Sequence, residues 1–189
     1  MALACHTLQE FSDHIGDCRR CTLAATRTRV VVGAGDPHAR VVIIGEAPGR
    51  NEDLTGEPFV GAAGKLLDEL LASVGMSRAQ VYIANIVKCR PPGNRNPSAI
   101  EVGTCTPFLR EQLRIIDPRI VVTLGNYASR FILGTNQRIT DLRGTVHKID
   151  SCTVVPVFHP AAALYDRSKR DALFADFELI GSLLEGERS

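Results

Sequence analysis

At 189 residues, 44% hydrophobic and 23% charged, the chain has the size and make-up of one globular domain with a substantial core. No apolar run approaches the ~20 residues of a membrane-spanning helix, and the polar opening MALACHTLQEFSDH lacks a signal-peptide core, so a cytoplasmic location is expected. A net charge of +1 selects no nucleic-acid partner by itself, and six cysteines without a secretory signal argue against a disulfide framework.

In chain order, residues 6–16 suit a short helix, followed by Cys18-Arg19-Arg20-Cys21 and a loop to about Ala39. Val41–Ile44 reads as a buried strand that breaks at Gly45-Glu46-Ala47-Pro48-Gly49 and enters a loop with further carboxylates and Phe59. Leu66, Leu67, Leu70, Leu71 and Val74 recur at helical spacing, predicting a helix over 62–74. Val81–Ala84 is a second strand ending at Asn85, after which KCRPPGNRNPSAIE is irregular. Ser98 with Glu101 three residues on is a capping box opening a helix to about Ile116, which Asp117-Pro118 stops. Ile120–Leu124 is a third strand, Asn126 to about Leu133 a helix, and 138–150 a small antiparallel excursion. Val154–Phe158 is the fourth core strand, ending at His159-Pro160, and a last helix spans about Arg170–Leu184.

Strand and helix alternate four times, the pattern of a parallel sheet covered on both faces. Parallel strands send their carboxyl ends to one edge, where open α/β sheets bind ligands. Glu46, Asn85 and His159 therefore meet there, with Phe59 from a loop on the same side. Three basic groups (Arg19, Arg20, Arg27, Arg29; Lys88, Arg90, Arg95; Arg167, Lys169, Arg170) gain meaning only if folding gathers them on one rim.

Four stretches, GEAPGRNED at 45–53, GEPFVGAAG at 56–64, ANIVKCRPPGNRNP at 84–97 and FHPAAAL at 158–164, give the chain a close resemblance to the family 4, iron–sulfur uracil-DNA glycosylases. The match runs from Cys18 to the last helix. It implies a three-layer α/β/α sandwich with a central four-stranded parallel sheet, a single glycosylase domain over 1–189, and a cluster-binding N-terminal segment (about 1–40) packed on it. The implied activity is excision of uracil from single- or double-stranded DNA, leaving an abasic site without strand cleavage, by a monomer associated with the nucleoid. The resemblance also implies one [4Fe–4S] cluster on Cys18, Cys21, Cys89 and Cys105. The spacing of these cysteines alone admits either tetrahedral zinc or an iron–sulfur cluster. Cys5 and Cys152 are read as ordinary thiols.

A base inside a duplex must be flipped out to be reached. On the resemblance, Phe59 stacks on the flipped uracil, while the Asn85 amide accepts from N3–H and donates to O4, a pattern that cytosine reverses. Thymine differs only by its methyl group, which the 46–53 loop must exclude, with Ala47 lining the pocket and Glu52 or its neighbours placed for that task. His159 donates to O2 as negative charge develops on the base, a role that a neutral imidazole fills. Glu46 orients or activates water. The best-known glycosylases carry an aspartate where this chain has Ala47, so Glu46, Glu52 and Asp53 all stay open as the water's partner. Leu164 is the expected wedge into the duplex; Arg167 and Lys169 face phosphates, and Arg95 sits on a second DNA-facing loop. Two other readings are a DNA-binding module of the same fold without turnover and a relative that bonds covalently to the abasic product. The latter carries a histidine after the second strand, which CRPPGNRNP lacks.

Overall fold

The computed structural model describes residues 5–186. The first residues of the opening stretch and the last residues of EGERS lie outside the described residues.

In chain order the elements are α1 (Leu8–Ile15), β1 (Ala34–Gly35), β2 (Val41–Gly45), α2 (Arg50–Thr55), α3 (Ala62–Ser73), β3 (Tyr82–Asn85), α4 (Ala99–Ile116), β4 (Ile120–Leu124), α5 (Gly125–Leu133), α6 (Ile139–Leu142), β5 (His147–Ile149), β6 (Cys152–Val157), α7 (Pro160–Ala163) and α8 (Arg167–Gly186). They build one sheet of order β1-β3-β2-β4-β6-β5. The inner four strands are parallel, as expected, and each edge carries a short antiparallel strand. The sheet therefore has six strands rather than four. β1 was not legible in Gly33-Ala34-Gly35, a composition poor in strand formers. A Cβ at Gly35 would lie 1.9 Å from the Val81 carbonyl oxygen, so close backbone approach, not side-chain packing, makes that edge.

The inner strands are buried on both faces, and their period-2 alternation splits the core in two. Ile43, Ile83, Val122 and Val155 face Leu66, Leu67 and Leu70 of α3 and Leu173, Phe177 and Ile180 of α8. Val42, Ile44, Tyr82, Val121 and Val154 face Phe11 and Ile15 of α1 and Val102, Phe108 and Leu109 of α4. The right-handed crossover rule accounts for this layering. The chain moves from β2 outward to β3 through α3, then returns past β2 to β4 through α4, and reversing direction puts the two helices on opposite faces. That reversal makes the carboxyl end of β2 the topological switch point, beside which such sheets bind ligands.

The capping box is present in full. The Ser98 hydroxyl accepts from Glu101 N (3.3 Å) and Glu101 accepts from Ser98 N (2.7 Å). Asp117, in the left-handed region at φ 50°, closes α4. Two further elements differ from expectation. The loop after β2 contains α2, and the last helix starts at Arg167, preceded by the single turn α7 at His159-Pro160. The 138–150 excursion is the turn α6 followed by β5, antiparallel to β6.

Candidate active site at the carboxyl edge of the sheet

Asn85 ends β3 level with Gly45 of β2. It is 2% exposed, and its side-chain oxygen has no hydrogen-bond partner. A buried, unpaired amide oxygen is costly unless something completes it. The residue lines a cavity of about 370 Å³ together with Glu46, Ala47, Glu52, Phe59 and His159. Carboxylate, amide, imidazole and aromatic ring, remote in sequence, thus border one space. Gly45 makes this packing possible. A Cβ there would stand 2.4 Å from Asn85 Oδ1 and 2.9 Å from Phe59 Cζ.

Phe59 is buried with φ 55°, a left-handed conformation that is uncommon for an aromatic residue. Three features hold it there. Arg78 donates to the carbonyls of Phe59, Pro58 (3.0 Å) and Gly64 (3.3 Å). Asp68 pairs with the same guanidinium. Gly64 lets the Phe59 carbonyl sit against α3, where a Cβ would be 1.7 Å from that oxygen. The Phe59 ring stacks on the His159 imidazole, with centroids 5.7 Å apart.

His159 follows β6 and caps α7. Its Nδ1 accepts from Ala161 N at 3.1 Å, which puts the proton of a neutral ring on Nε2. Burial lowers its pKa to about 4, with the Glu52 charge opposing the shift, so the imidazole is neutral at physiological pH. Gly125, at φ 84°, follows β4 and opens α5; a Cβ there would be 3.0 Å from His159 Cβ.

The three carboxylates left open by the sequence occupy different situations. Asp53 is buried and accepts from Thr28 N (2.8 Å) and Arg29 N (3.4 Å), pinning the N-terminal segment. Glu52 lines the cavity, but one of its oxygens accepts from Val60 N (3.0 Å) and Gly61 N (3.2 Å), closing the loop before α3. Glu46 is half-buried, and burial raises its pKa. It also lines an adjoining cavity of about 730 Å³, shared with Asn96, Asn126, Tyr127, Arg130 and His159.

Cys18, Cys21, Cys89 and Cys105 rim one small cavity beneath Phe108 and Ile15, away from the cavity that Asn85 lines. No described cysteine forms a disulfide, and among the described residues no three His, Cys, Asp or Glu side chains stand together so as to hold one metal ion. Two nitrogen donors point at the sulfurs: Lys88 N to Cys105 Sγ (3.3 Å) and an Arg27 guanidinium N–H to Cys89 Sγ (3.6 Å). Burial pushes the Cys89 thiol up to about 12, with Arg27 opposing the shift. Cys5 and Cys152 lie outside this group; Cys5 N donates to Glu111 (3.2 Å) and Cys152 Sγ to the Arg119 carbonyl (3.5 Å).

The basic groups divide. Arg95 lines the Asn85 cavity while making a bidentate pair with Glu101 (2.9 and 2.7 Å). Lys169 pairs with Asp166 (2.6 Å), Arg170 pairs with Glu69, and Arg167 is exposed. Leu164 is half-buried and packs on the core, whereas Tyr165, the next residue, is 98% exposed. Sequence reading passed over Arg78 and Asn96 and placed Lys88 only in a basic group, whereas it is buried at 1% exposure. Arg78 sits in an ordinary polar turn that carries no signal, but Lys88, in an otherwise apolar run beside Cys89, was noticeable.

An unpaired amide beside the switch point of a doubly covered sheet, an aromatic wall and a neutral imidazole donor together border a space that can take a planar, hydrogen-bonding ring. The family model described as Uracil DNA glycosylase superfamily matches residues 32–178. The chain is 44% identical over 185 residues to the Type-4 uracil-DNA glycosylase of Archaeoglobus fulgidus, covering 94% of this chain and 93% of that protein. It is 44% identical over 180 residues to the Type-4 uracil-DNA glycosylase of Thermotoga maritima, covering 93% and 94%. The Type-5 uracil-DNA glycosylase of Pyrobaculum aerophilum is 35% identical over 144 residues, 68% of this chain and 63% of that protein. The chain belongs to the type-4 uracil-DNA glycosylase family.

Proposed function

We propose that this chain is a DNA-repair hydrolase that removes uracil from DNA, acting as a monomeric single domain on single- or double-stranded substrates. The observation that carries this reading is the buried, unpaired side-chain oxygen of Asn85, a residue that lines one cavity with Phe59 and His159. Uracil supplies what the oxygen lacks, a donor at N3. Cytosine presents an acceptor there and leaves Asn85 incomplete, a penalty that can amount to about 10⁴-fold or more in sites built on paired hydrogen bonds.

The flipped uracil stacks on Phe59, worth about 1–3 kcal/mol. As the N1–C1′ bond breaks, electrons move onto the ring, and His159 donates its Nε2 proton in a hydrogen bond to O2. The imidazole stays neutral and need not give up the proton. Glu46 attracts the growing positive charge on the sugar and orients the water that attacks C1′. Its freedom supports this choice: Glu52 and Asp53 are occupied with main-chain N–H groups, whereas the Glu46 carboxylate accepts no hydrogen bond among the described residues. Ala47 and Glu52 wall the 5-position side, where a thymine methyl would have to fit. Arg167, Lys169 and Arg95 face the backbone. Leu164 and the free ring of Tyr165 fill the space left by the flipped nucleotide.

The cysteine cavity suits a [4Fe–4S] cluster. Four thiolates rim one space without converging on a point, whereas a single zinc ion needs four sulfurs about 2.3 Å from a common centre. The N–H groups of Lys88 and Arg27 suit the negative charge of such a centre. When bound, the cluster ties the N-terminal segment to residues 89–105, and hydrolysis draws no electrons from it.

The test is a uracil-containing oligonucleotide. Free uracil together with an alkali-labile site is expected. Retention of the DNA without uracil release would instead identify a binding module, and retention of a covalent product the abasic-site-bonding variant.

A further inference from the structure

Lys88 is the only Lys or Arg among the buried described residues, at 1% exposure, and the mechanism above does not use it. Its ammonium makes one hydrogen bond among the described residues, to the main-chain carbonyl of Asn85 at 2.8 Å, and no carboxylate pairs with it there. A buried ammonium without a counter-charge is strongly unfavourable. A thiolate-bound centre in the cysteine cavity, which Lys88 also lines, would supply that charge. Cys89 is its chain neighbour, and Cys105 Sγ accepts from its peptide N–H at 3.3 Å. The ammonium thus sits between the cysteine cavity and the main chain of the residue whose side-chain oxygen is left for the base.

We propose that Lys88 is a positioning residue through which the cysteine centre fixes Asn85 for base reading. The thiolate centre neutralises the ammonium, and the ammonium holds the Asn85 carbonyl and with it the attitude of the side chain in the cavity. This rests on the functional reading above, with Asn85 as reader and the four cysteines as a thiolate-bound centre. By thermodynamic reciprocity, a base bound at Asn85 must also be felt at the centre.

The experiment compares the cluster-loaded wild type with Lys88→Met, a substitution of similar length without charge or donor. Calorimetry measures affinity for free uracil, and the visible absorbance and reduction potential of the centre are recorded with and without uracil. Lys88→Met is expected to bind uracil about tenfold to a hundredfold more weakly, a loss typical of a displaced positioning contact. Its centre is expected at a lower potential, because a nearby cation favours the reduced, more negative state. In the wild type, uracil is expected to shift the potential, and in Lys88→Met that response disappears. Equal uracil affinity in the two proteins, or a wild-type potential indifferent to uracil, overturns the link. The wild-type titration needs no variant, so a misfolded Lys88→Met does not remove the test. A wild type that binds no uracil overturns the functional reading itself, and one without visible absorbance overturns the assignment of the centre.

Discussion

His159 and Glu46 face one cavity, and burial moves their pKa values in opposite directions, which makes their contributions separable by pH. His159 has a pKa of about 4 in the folded chain against the ordinary 6.5 when unfolded. Between those values the unfolded chain takes up a proton that the folded one does not, so stability falls as pH drops from 6.5 towards 4. His159→Gln is expected to flatten that part of the Tm–pH curve and to lower kcat by about 10²–10³-fold, the usual cost of losing one donor to a developing anion. In the proposed mechanism Glu46 acts as the ionised carboxylate, and because burial raises its pKa the acid limb of kcat/KM is expected above that of an exposed glutamate. Glu46→Gln should abolish that limb, and a limb that survives would assign the water to another group. Tyr165 offers a third residue-level test. Tyr165→Ala should slow uracil release from duplex DNA while leaving single-stranded substrate unaffected, because only the duplex has a stack to refill; equal losses on both would remove Tyr165 from that role. Glu46, Asn85 and His159 were legible in the sequence because each directly follows a strong strand signal. The assignments of Glu52 and Asp53 were not, since their partners at Val60, Gly61 and Thr28 depend on loop paths that no local pattern encodes.

At the scale of elements, the connection from β2 to α3 is held at several points. Phe59 takes a positive φ, Arg78 bonds the carbonyls on either side of the bend, and Gly64 leaves room for one of them. Main-chain atoms cannot yield as a flexible side chain can. Gly64→Ala is therefore expected to destabilise by at least about 1–3 kcal/mol, the range for overpacked sites. At roughly 2–4 °C per kcal/mol for a chain of this size, the change is readable in Tm. Weaker uracil binding should accompany it because the stacking wall moves; unchanged Tm and affinity would mean that the bend is not needed. The inner strands and α3, α4 and α5 were readable from periodicity and the capping box. α2 was hidden in GRNEDLT, a six-residue helix held by tertiary contacts. β1 exists only because β3 offers it an edge.

Across the whole molecule, the N-terminal segment is fastened at several separate points. Phe11 stacks edge-on against Phe108, Thr22 donates to Glu101 (3.0 Å), Thr28 N donates to Asp53, and Cys18 and Cys21 share a cavity with Cys89 and Cys105. Two of these ties are hydrogen bonds, and a centre that joins four thiolates would add a covalent one. Cys21→Ser, or removal of the centre, should lower Tm and raise hydrogen exchange over residues 18–30 and 89–98, while the β2, β4 and β6 amides stay protected. Uniform exchange through the sheet would show instead that the centre supports the whole fold. This fastening was only partly legible, because cysteine spacing gives candidate ligands but not the arginine and lysine placed against them.

β4 brings no reacting group to the rim, and its role is dimensional. It lies between β2 and β6, and adjacent strands are about 4.8 Å apart, so it holds the Glu46 side of the rim roughly 10 Å from the His159 side. Main-chain pairing sets that aperture, and Gly125 keeps its floor free of a side chain. Exchanging surface loops can alter which DNA is approached and how tightly it is gripped. In the proposed mechanism, the gauge against which a flipped ring is measured is inherited with the sheet.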